Sequence, residues 1–158
     1  MQMRRKDLAV TEPERIDAII NRCDCVRLAF ADGTHPYIIP LSFGFVHAGG
    51  VRKLYFHSAS QGRKVDLCRK LGYAGFEFDT DARINPNEKA CDFSVRYQSV
   101  VGEGTVTELT GIPEKTAALQ TLMAHYSGRS DWAMPEEVVR RTCVFCLTVT
   151  EISGREHG

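Results

Sequence analysis

The residues most capable of chemistry lie in one segment, Tyr55-Phe-His-Ser-Ala-Ser-Gln-Gly-Arg-Lys64, where a predicted strand leads into a predicted helix. Two serine hydroxyls, a glycine and the adjacent cations Arg63 and Lys64 gather at the start of that helix. A helix N-terminus has unpaired N–H groups and a partial positive charge, so it can hold a phosphate. Residues 52–70 contain six cations and one acid, Asp66. In a chain of zero formal net charge, this local excess predicts a small anionic ligand.

His57 lies in the same segment and is the candidate for acid–base chemistry. An imidazole titrates near neutral pH and can deliver a proton to a reacting group. A histidine at the end of a strand can equally serve as a structural hydrogen-bonding group, and the sequence leaves both interpretations open. The other histidines we considered, His35, His47 and His125, lie at predicted turns or on a predicted helix and form no close ligand pair, so no metal site is predicted.

The cysteines are interpreted as free thiols. Cys23-Asp-Cys25 and Cys143-Val-Phe-Cys146 resemble halves of a zinc site. However, residues 143–150 alternate as in a strand, so side chains three apart should project to opposite faces. No pair of histidines completes a set of four ligands. We therefore expect buried or half-buried thiols that pack as small apolar residues.

Composition excludes several classes of protein. The 158 residues are 43% hydrophobic and 25% charged, which is ordinary for a globular protein and predicts a single domain over residues 1–158. No apolar run approaches the length of a membrane span, and no apolar segment follows the basic start, so neither a membrane segment nor a secretory signal is predicted. Balanced charge argues against nucleic acid as a partner. We expect a cytoplasmic protein.

The first half of the chain supplies the elements that position the segment 55–64. Thr11-Glu-Pro-Glu14 has the pattern of a capping box and predicts a helix that ends near Arg22. Strands are predicted over residues 25–31, 35–46 and 52–58, with turns at residues 32–33 and 48–50. A helix over residues 62–71 then carries the two adjacent cations.

The second half predicts further strands with helices packed outside them. The predicted elements are strands over 73–81 and 93–109, a loop over 83–91, helices over 113–126 and 135–141, and a last strand that ends at residue 152. Gly102 and Gly104 would allow the long strand to bend at a barrel corner. No regular strand–helix–strand series occurs, which makes a parallel sheet improbable. The pattern favours an antiparallel barrel.

Pro40 lies in the middle of a predicted strand. Proline has no N–H to donate to a strand ladder, so Pro40 should lie at a sheet edge or a bulge. That position either protects the edge from aggregation or frees the following residues, 41–43, to form the wall of a ligand site. The sequence favours neither interpretation over the other.

Six segments along the chain form one pattern: Arg5-Lys-Asp7, Pro36-Tyr-Ile-Ile-Pro-Leu-Ser-Phe-Gly-Phe45, residues 55–66, Phe76-Glu-Phe-Asp-Thr-Asp81, Tyr97-Gln-Ser-Val-Val-Gly-Glu-Gly104 and Ala118-Leu-Gln-Thr-Leu-Met-Ala-His-Tyr126. With these segments the chain resembles, in order from residue 4 to Ile152, the nitroimidazole-resistance branch of the pyridoxamine 5'-phosphate oxidase-like flavoproteins. The resemblance implies a mainly β, α+β fold: an antiparallel split β-barrel of Greek-key type with peripheral helices.

The resemblance also implies roles for individual residues around a bound FMN. The phosphate would be held by Ser58, Arg63 and Lys64. The flavin ring would be lined by Pro40, Leu41, Ser42, Phe43, Phe56, His57 and Ala59. Ser99 and Val100 would contact the cofactor, with a second subunit as one source, and Trp132 would cover the flavin. His57 would also be the residue that meets the substrate.

The function implied is that of an FMN-dependent reductase. A homodimer would take electrons from NAD(P)H and pass them to a small acceptor of the nitroaromatic type, with the cofactor supplying the hydride chemistry. Two alternatives remain open at this point: a flavin-binding module without rapid turnover, and a split barrel that holds haem or a deazaflavin.

Overall fold

The computed structural model describes residues 5–158, so residues 1–4, where the basic start lies and the resemblance begins, are outside the described residues. The elements in chain order are β1 (Ala9–Val10), α1 (Pro13–Arg22), β2 (Val26–Asp32), β3 (His35–Leu41), β4 (Gly44–Ala48), β5 (Val51–Ser58), α2 (Arg63–Leu71), β6 (Tyr73–Asn85), β7 (Ser94–Leu109), α3 (Ile112–Ser127), α4 (Glu136–Arg141) and β8 (Cys143–His157).

The strands form one antiparallel sheet in the order β3-β2-β6-β7-β8-β5-β4, with β1 paired to β8. Its longest ladder joins β7 to β8, from Tyr97 opposite His157 to Leu109 opposite Val144. The register of this ladder shifts between Glu103 and Gly104, in the region where the glycine pair predicted a bend. The predicted split-barrel fold, mainly antiparallel β with helices, is confirmed.

The barrel is split within the segment predicted as one strand over residues 35–46. That prediction is wrong, because β3 pairs with β2, β4 pairs with β5, and residues 42–43 belong to neither ladder. The backbone N–H of Phe43 instead donates to the Tyr126 hydroxyl on α3 at 3.1 Å, and that hydroxyl donates to the Asp24 carbonyl at 2.9 Å. Gly44 allows the chain to lie against α3, since a Cβ there would be 2.6 Å from the Leu122 backbone nitrogen. Pro40 lies on β3 at the end of the sheet order, as predicted.

The capping box predicted for α1 does not form. Glu12 is the N-cap residue and no side chain caps the helix. Thr11 Oγ1 donates to the Glu12 carboxylate at 3.4 Å instead. The reason is Pro13, which takes the first helical position that proline prefers and so makes residue 12 the cap.

Two strands continue beyond their predicted ends. β6 reaches Asn85 because it resumes pairing with β7 after an irregularity between Thr80 and Arg83, which removes the first part of the predicted loop over 83–91. β8 reaches His157, five residues beyond residue 152, because its polar end pairs with β7. Neither extension has an apolar pattern, so sequence periodicity gave no signal for it.

The core lies inside the curved sheet, with α1 covering one end. Phe43 and Phe78 meet at 4.9 Å between ring centroids, and Phe56 stacks on Phe145 at 5.4 Å. These four side chains are fully buried, and each stabilises the fold by roughly 2–3 kcal/mol relative to an exposed position. α1 adds its buried isoleucines, Ile16, Ile19 and Ile20.

The six cysteines are free. Five are buried or half-buried as predicted, whereas Cys91 is exposed, so the prediction is wrong for that residue. Burial raises the pKa of both the Cys23 and Cys68 thiols to about 12, which keeps them protonated. In the part of the chain that the structure describes, no helix is long and apolar enough to cross a membrane.

Candidate functional site

The start of α2 is an open helix N-terminus. β5 ends at Ser58 and α2 begins at Arg63. The first helical hydrogen bond joins the N–H of Asp66 to the Gly62 carbonyl at 3.1 Å, so the three preceding N–H groups have no partner within the helix. No side chain caps this end. Gly62 has φ +129°, and a Cβ placed on it would meet no atom within 4 Å, which leaves room beside the helix start for a ligand.

Lys64 places an ammonium group beside that open helix start. Its Nζ donates to the His57 carbonyl at 3.1 Å, which ties the first turn of α2 to the end of β5. Burial lowers the pKa of Lys64 from its ordinary value of 10.5, because lost hydration disfavours the charged form. An anionic ligand at this point would replace part of the missing hydration.

Ion pairs hold three of the six cations in residues 52–70. Arg63 donates to the Asp32 carboxylate from Nε at 3.1 Å and from Nη2 at 2.9 Å, with its guanidinium 4.6 Å above the Tyr37 ring centroid. Arg52 pairs with Asp17 and Arg69 pairs with Glu108, each at 2.7 Å. The predicted excess of positive charge is therefore reduced to lysines, of which Lys64 alone lies in the first turn of α2.

His57 has a free imidazole at the end of β5. Within residues 5–158 its ring has no hydrogen-bond partner, and the side chain is exposed at the surface. Partial loss of hydration, and secondarily the charge on Lys64, lower the pKa of His57 from 6.5. The neutral ring therefore predominates at pH 7 and can donate one hydrogen bond and accept another.

The imidazole lies at the edge of an apolar pocket of about 290 Å³. α3, α4 and the connection between them form its other walls. The lining residues besides His57 are Leu119, Leu122, Met123, Ala133, Met134, Pro135, Val138, Val139 and Thr142. We call this space the α3–α4 pocket.

The other residues predicted to line a flavin fall into separate groups. The side chains of Phe43, Phe56 and Val100 are buried in the barrel core, so a surface ligand could reach only their backbone. Leu41 is half-buried, and Pro40 and Ser42 are exposed at the β3 edge and the strand break. Ser58 ends β5 beside His57, and Ala59 begins the connection to α2.

Ser99 and Trp132 lie on elements other than β5 and α2. At one end of the β7–β8 ladder, Leu109 pairs with Val144, and Val144 also pairs with His57 on β5. Ser99 lies ten residues along β7 from Leu109 and pairs with Arg155. Ten residues of strand span about 33 Å. Trp132 lies in the connection between α3 and α4, where its Nε1–H donates to Ser127 Oγ at 3.1 Å.

Two parts of this region were not predicted from the sequence. Tyr126 holds the strand break, and the α3–α4 pocket faces His57. The apolar run Trp132-Ala-Met-Pro135 was a weak signal for an apolar surface, but only the packing of α4 against α3 shows the pocket. No group of three or more histidine, cysteine or acidic side chains that could hold a metal ion occurs within residues 5–158.

One comparison with known proteins identifies a family. The family model described as pyridoxamine 5'-phosphate oxidase matches residues 12–156. No curated protein matches the chain in sequence.

Solved structures share the fold at low sequence identity. A candidate 5-nitroimidazole antibiotic resistance protein from Bacteroides thetaiotaomicron is 24% identical with a TM-score of 0.82, covering 94% of this chain and 86% of that one. The flavocytochrome Anf3 from Azotobacter vinelandii is 17% identical with a TM-score of 0.81, and the match covers 99% of this chain and 72% of that one. An FAD- and haem-binding protein from Mycobacterium smegmatis is 20% identical with a TM-score of 0.79, and the match covers 95% of this chain and 74% of that one.

Proposed function

The chain belongs to the pyridoxamine 5'-phosphate oxidase family, a family of flavin-binding split barrels, and from this premise we propose that it is an FMN-dependent reductase of nitroaromatic-type acceptors. Electrons come from NAD(P)H, and the working unit is a homodimer. One observation carries the proposal: a half-buried lysine, Lys64, stands at the open, uncapped start of α2 and donates to the backbone carbonyl of His57, whose imidazole has no hydrogen-bond partner within residues 5–158.

The groups at the start of α2 fit a flavin phosphate. The unpaired N–H groups of the first turn and the Lys64 ammonium are donors suited to a dianion, and the Ser58 hydroxyl lies at the adjacent strand end. Arg63 contributes less than Lys64 because its Nε and Nη2 already donate to Asp32. The zero net charge of the chain favours a small anion over a polyanion.

His57 orients the acceptor. When bound, FMN supplies two-electron chemistry between the nicotinamide and the acceptor. The neutral imidazole that predominates at pH 7 donates an N–H to an oxygen of the acceptor and holds it in place. The protonated fraction, which grows as the pH falls, can also deliver a proton to that oxygen.

The fold neighbours support this reading and one alternative. The likeness to a candidate nitroimidazole-resistance protein favours a nitro-compound as acceptor. The flavocytochrome and the FAD- and haem-binding protein favour FAD or haem as the second candidate ligand, and the His57 imidazole would offer a nitrogen ligand to a haem iron. Absorbance separates flavin from haem, since flavin has a band near ~450 nm and haem an intense band near ~400 nm.

Lys64→Ala tests the phosphate site. The variant should bind FMN more weakly by about 1.5–3 kcal/mol, the contribution of a hydrogen bond to a charged group, which is roughly 10- to 150-fold in Kd. Titration of FMN fluorescence measures this loss. Lys70→Ala is the matched control, because Lys70 is an exposed lysine in the last turn of the same helix. Equal losses in the two variants, or no loss in Lys64→Ala, would remove the phosphate assignment.

A further inference from the structure

The α3–α4 pocket is built as a site for a small apolar molecule. α3 lines the pocket with Leu119, Leu122 and Met123. The other apolar lining residues come from α4 and from the connection that precedes it. The only polar side chains in the pocket are His57 and Thr142, and the Thr142 hydroxyl already donates to the Val138 carbonyl at 2.8 Å. Small-molecule sites typically combine apolar walls with a few polar groups that fix orientation. Here the orienting donor is His57.

The size of the pocket limits the ligand. At about 290 Å³ it lies at the small end of ligand sites, which run from about 300 to 1,000 Å³, so one aromatic ring with a short substituent fits better than a fused ring system. Met123 and Met134 lie in the wall. Thioethers adapt to irregular shapes and make favourable contacts with aromatic rings.

The wall opposite His57 is fixed in place. Gln120 on α3 holds the backbone of Trp132 at both ends, with Nε2 donating to the Trp132 carbonyl at 2.6 Å and Oε1 accepting the Trp132 N–H at 3.0 Å. Arg129 lies 4.6 Å above the indole ring centroid. These contacts position Ala133 and Met134 before any ligand arrives, so little ordering is needed on binding.

His57 joins this pocket to the start of α2 without belonging to the core. Phe56 points into the barrel and His57 to the opposite face of β5, the face on which α3 packs. Lys64 uses only the backbone carbonyl of His57, which leaves the ring available to the pocket. We infer that the α3–α4 pocket binds the electron acceptor, and that this acceptor is a single aromatic ring with one group that accepts a hydrogen bond. The His57 imidazole donates that hydrogen bond. The reductase role of this pocket rests on the proposed function, whereas aromatic binding does not.

Methionine methyl NMR tests the inference directly. The chain has four methionines, of which Met123 and Met134 line the pocket. Acetophenone is the probe, added to FMN-loaded protein and to flavin-free protein. The inference predicts saturable shifts of the Met123 and Met134 methyl signals. Shifts that do not saturate, or no shifts, would overturn it.

Variants separate the pocket from the rest of the surface. Val138→Trp fills the pocket from an exposed position on α4 and should weaken acetophenone binding at least tenfold. Val51→Trp, at a comparably exposed valine outside the pocket, should change it less than twofold. His57→Ala should weaken acetophenone about 2- to 10-fold and leave isopropylbenzene, which lacks the carbonyl, unchanged. Equal effects of Val138→Trp and Val51→Trp would contradict the inference.

Two further outcomes distinguish the inference from the proposed function. If FMN itself shifts Met123 and Met134 and abolishes acetophenone binding, the pocket houses the cofactor and the inference fails while flavin binding stands. If the protein binds no FMN but flavin-free protein still shows the acetophenone shifts, the aromatic site stands and the proposed function fails.

Discussion

At the scale of single residues, the proposed function rests on His57 and Lys64. They are close in sequence, so the order strand, turn, helix was enough to predict that they lie in one segment. The partners of Arg63 could not be predicted in the same way. Asp32 and Tyr37 come from a hairpin 26 to 31 residues earlier, and only tertiary packing brings them to Arg63. Counting charges along the chain therefore overstated the free positive charge beside the helix.

The lowered pKa of His57 predicts how stability depends on pH. The folded protein releases the His57 proton at a lower pH than the unfolded chain, whose value is 6.5. Between those two pKa values the unfolded state binds more protons, so the free energy of unfolding falls as the pH drops below about 6.5. His57→Gln should remove this part of the loss.

Urea unfolding of both proteins at pH values from about 5 to 8 measures the effect. The free energies of unfolding of the two proteins should change in parallel above pH 6.5 and diverge below it. Below pH 6.5 the unsubstituted protein should lose more stability than His57→Gln. Parallel curves over the whole range would show that folding does not shift the pKa of His57.

At the scale of elements, the break between β3 and β4 shapes the barrel. Alternation of apolar residues continues through residues 35–46, so periodicity alone predicted one strand. The break depends on Tyr126, 83 residues further along the chain, which no local pattern could reveal. The strand and helix types were predictable from periodicity, whereas the ends of β6 and β8 depend on pairing with β7.

Tyr126→Phe should destabilise the protein by about 1–2 kcal/mol. The change removes the hydroxyl that accepts the Phe43 N–H and leaves that backbone group without its partner. The matched control is Tyr55→Phe, since the Tyr55 hydroxyl has no hydrogen bond within residues 5–158. Chemical denaturation measures both. A loss in Tyr126→Phe no greater than that in Tyr55→Phe would show that the hydroxyl does not hold the break.

At the scale of the whole molecule, about ten residues of β7, or about 33 Å of strand, separate Ser99 from the level of His57. If Ser99 contacts the cofactor, we therefore expect it to do so from a second copy of the chain. The family resemblance supplied that expectation. Neither composition nor periodicity could, because both describe one chain at a time.

A symmetric homodimer follows from the proposal. Sedimentation of flavin-loaded protein should give twice the chain mass of 17.7 kDa. Ser99→Trp at the proposed shared site should lower FMN affinity while keeping the far-UV spectrum. A monomer that retains FMN with parental affinity would contradict a cofactor site shared between subunits.

Anaerobic spectroscopy of the FMN-loaded protein tests the central claim most directly. NADH or NADPH should bleach the absorbance near ~450 nm, and nitrobenzene added afterwards without oxygen should restore it. His57→Ala should keep the bleaching rate and slow the recovery by ~10²-fold or more, because it removes the group that orients the acceptor and delivers its proton. Bleaching followed by no recovery in the parent protein, or recovery at the parental rate in His57→Ala, would contradict the account.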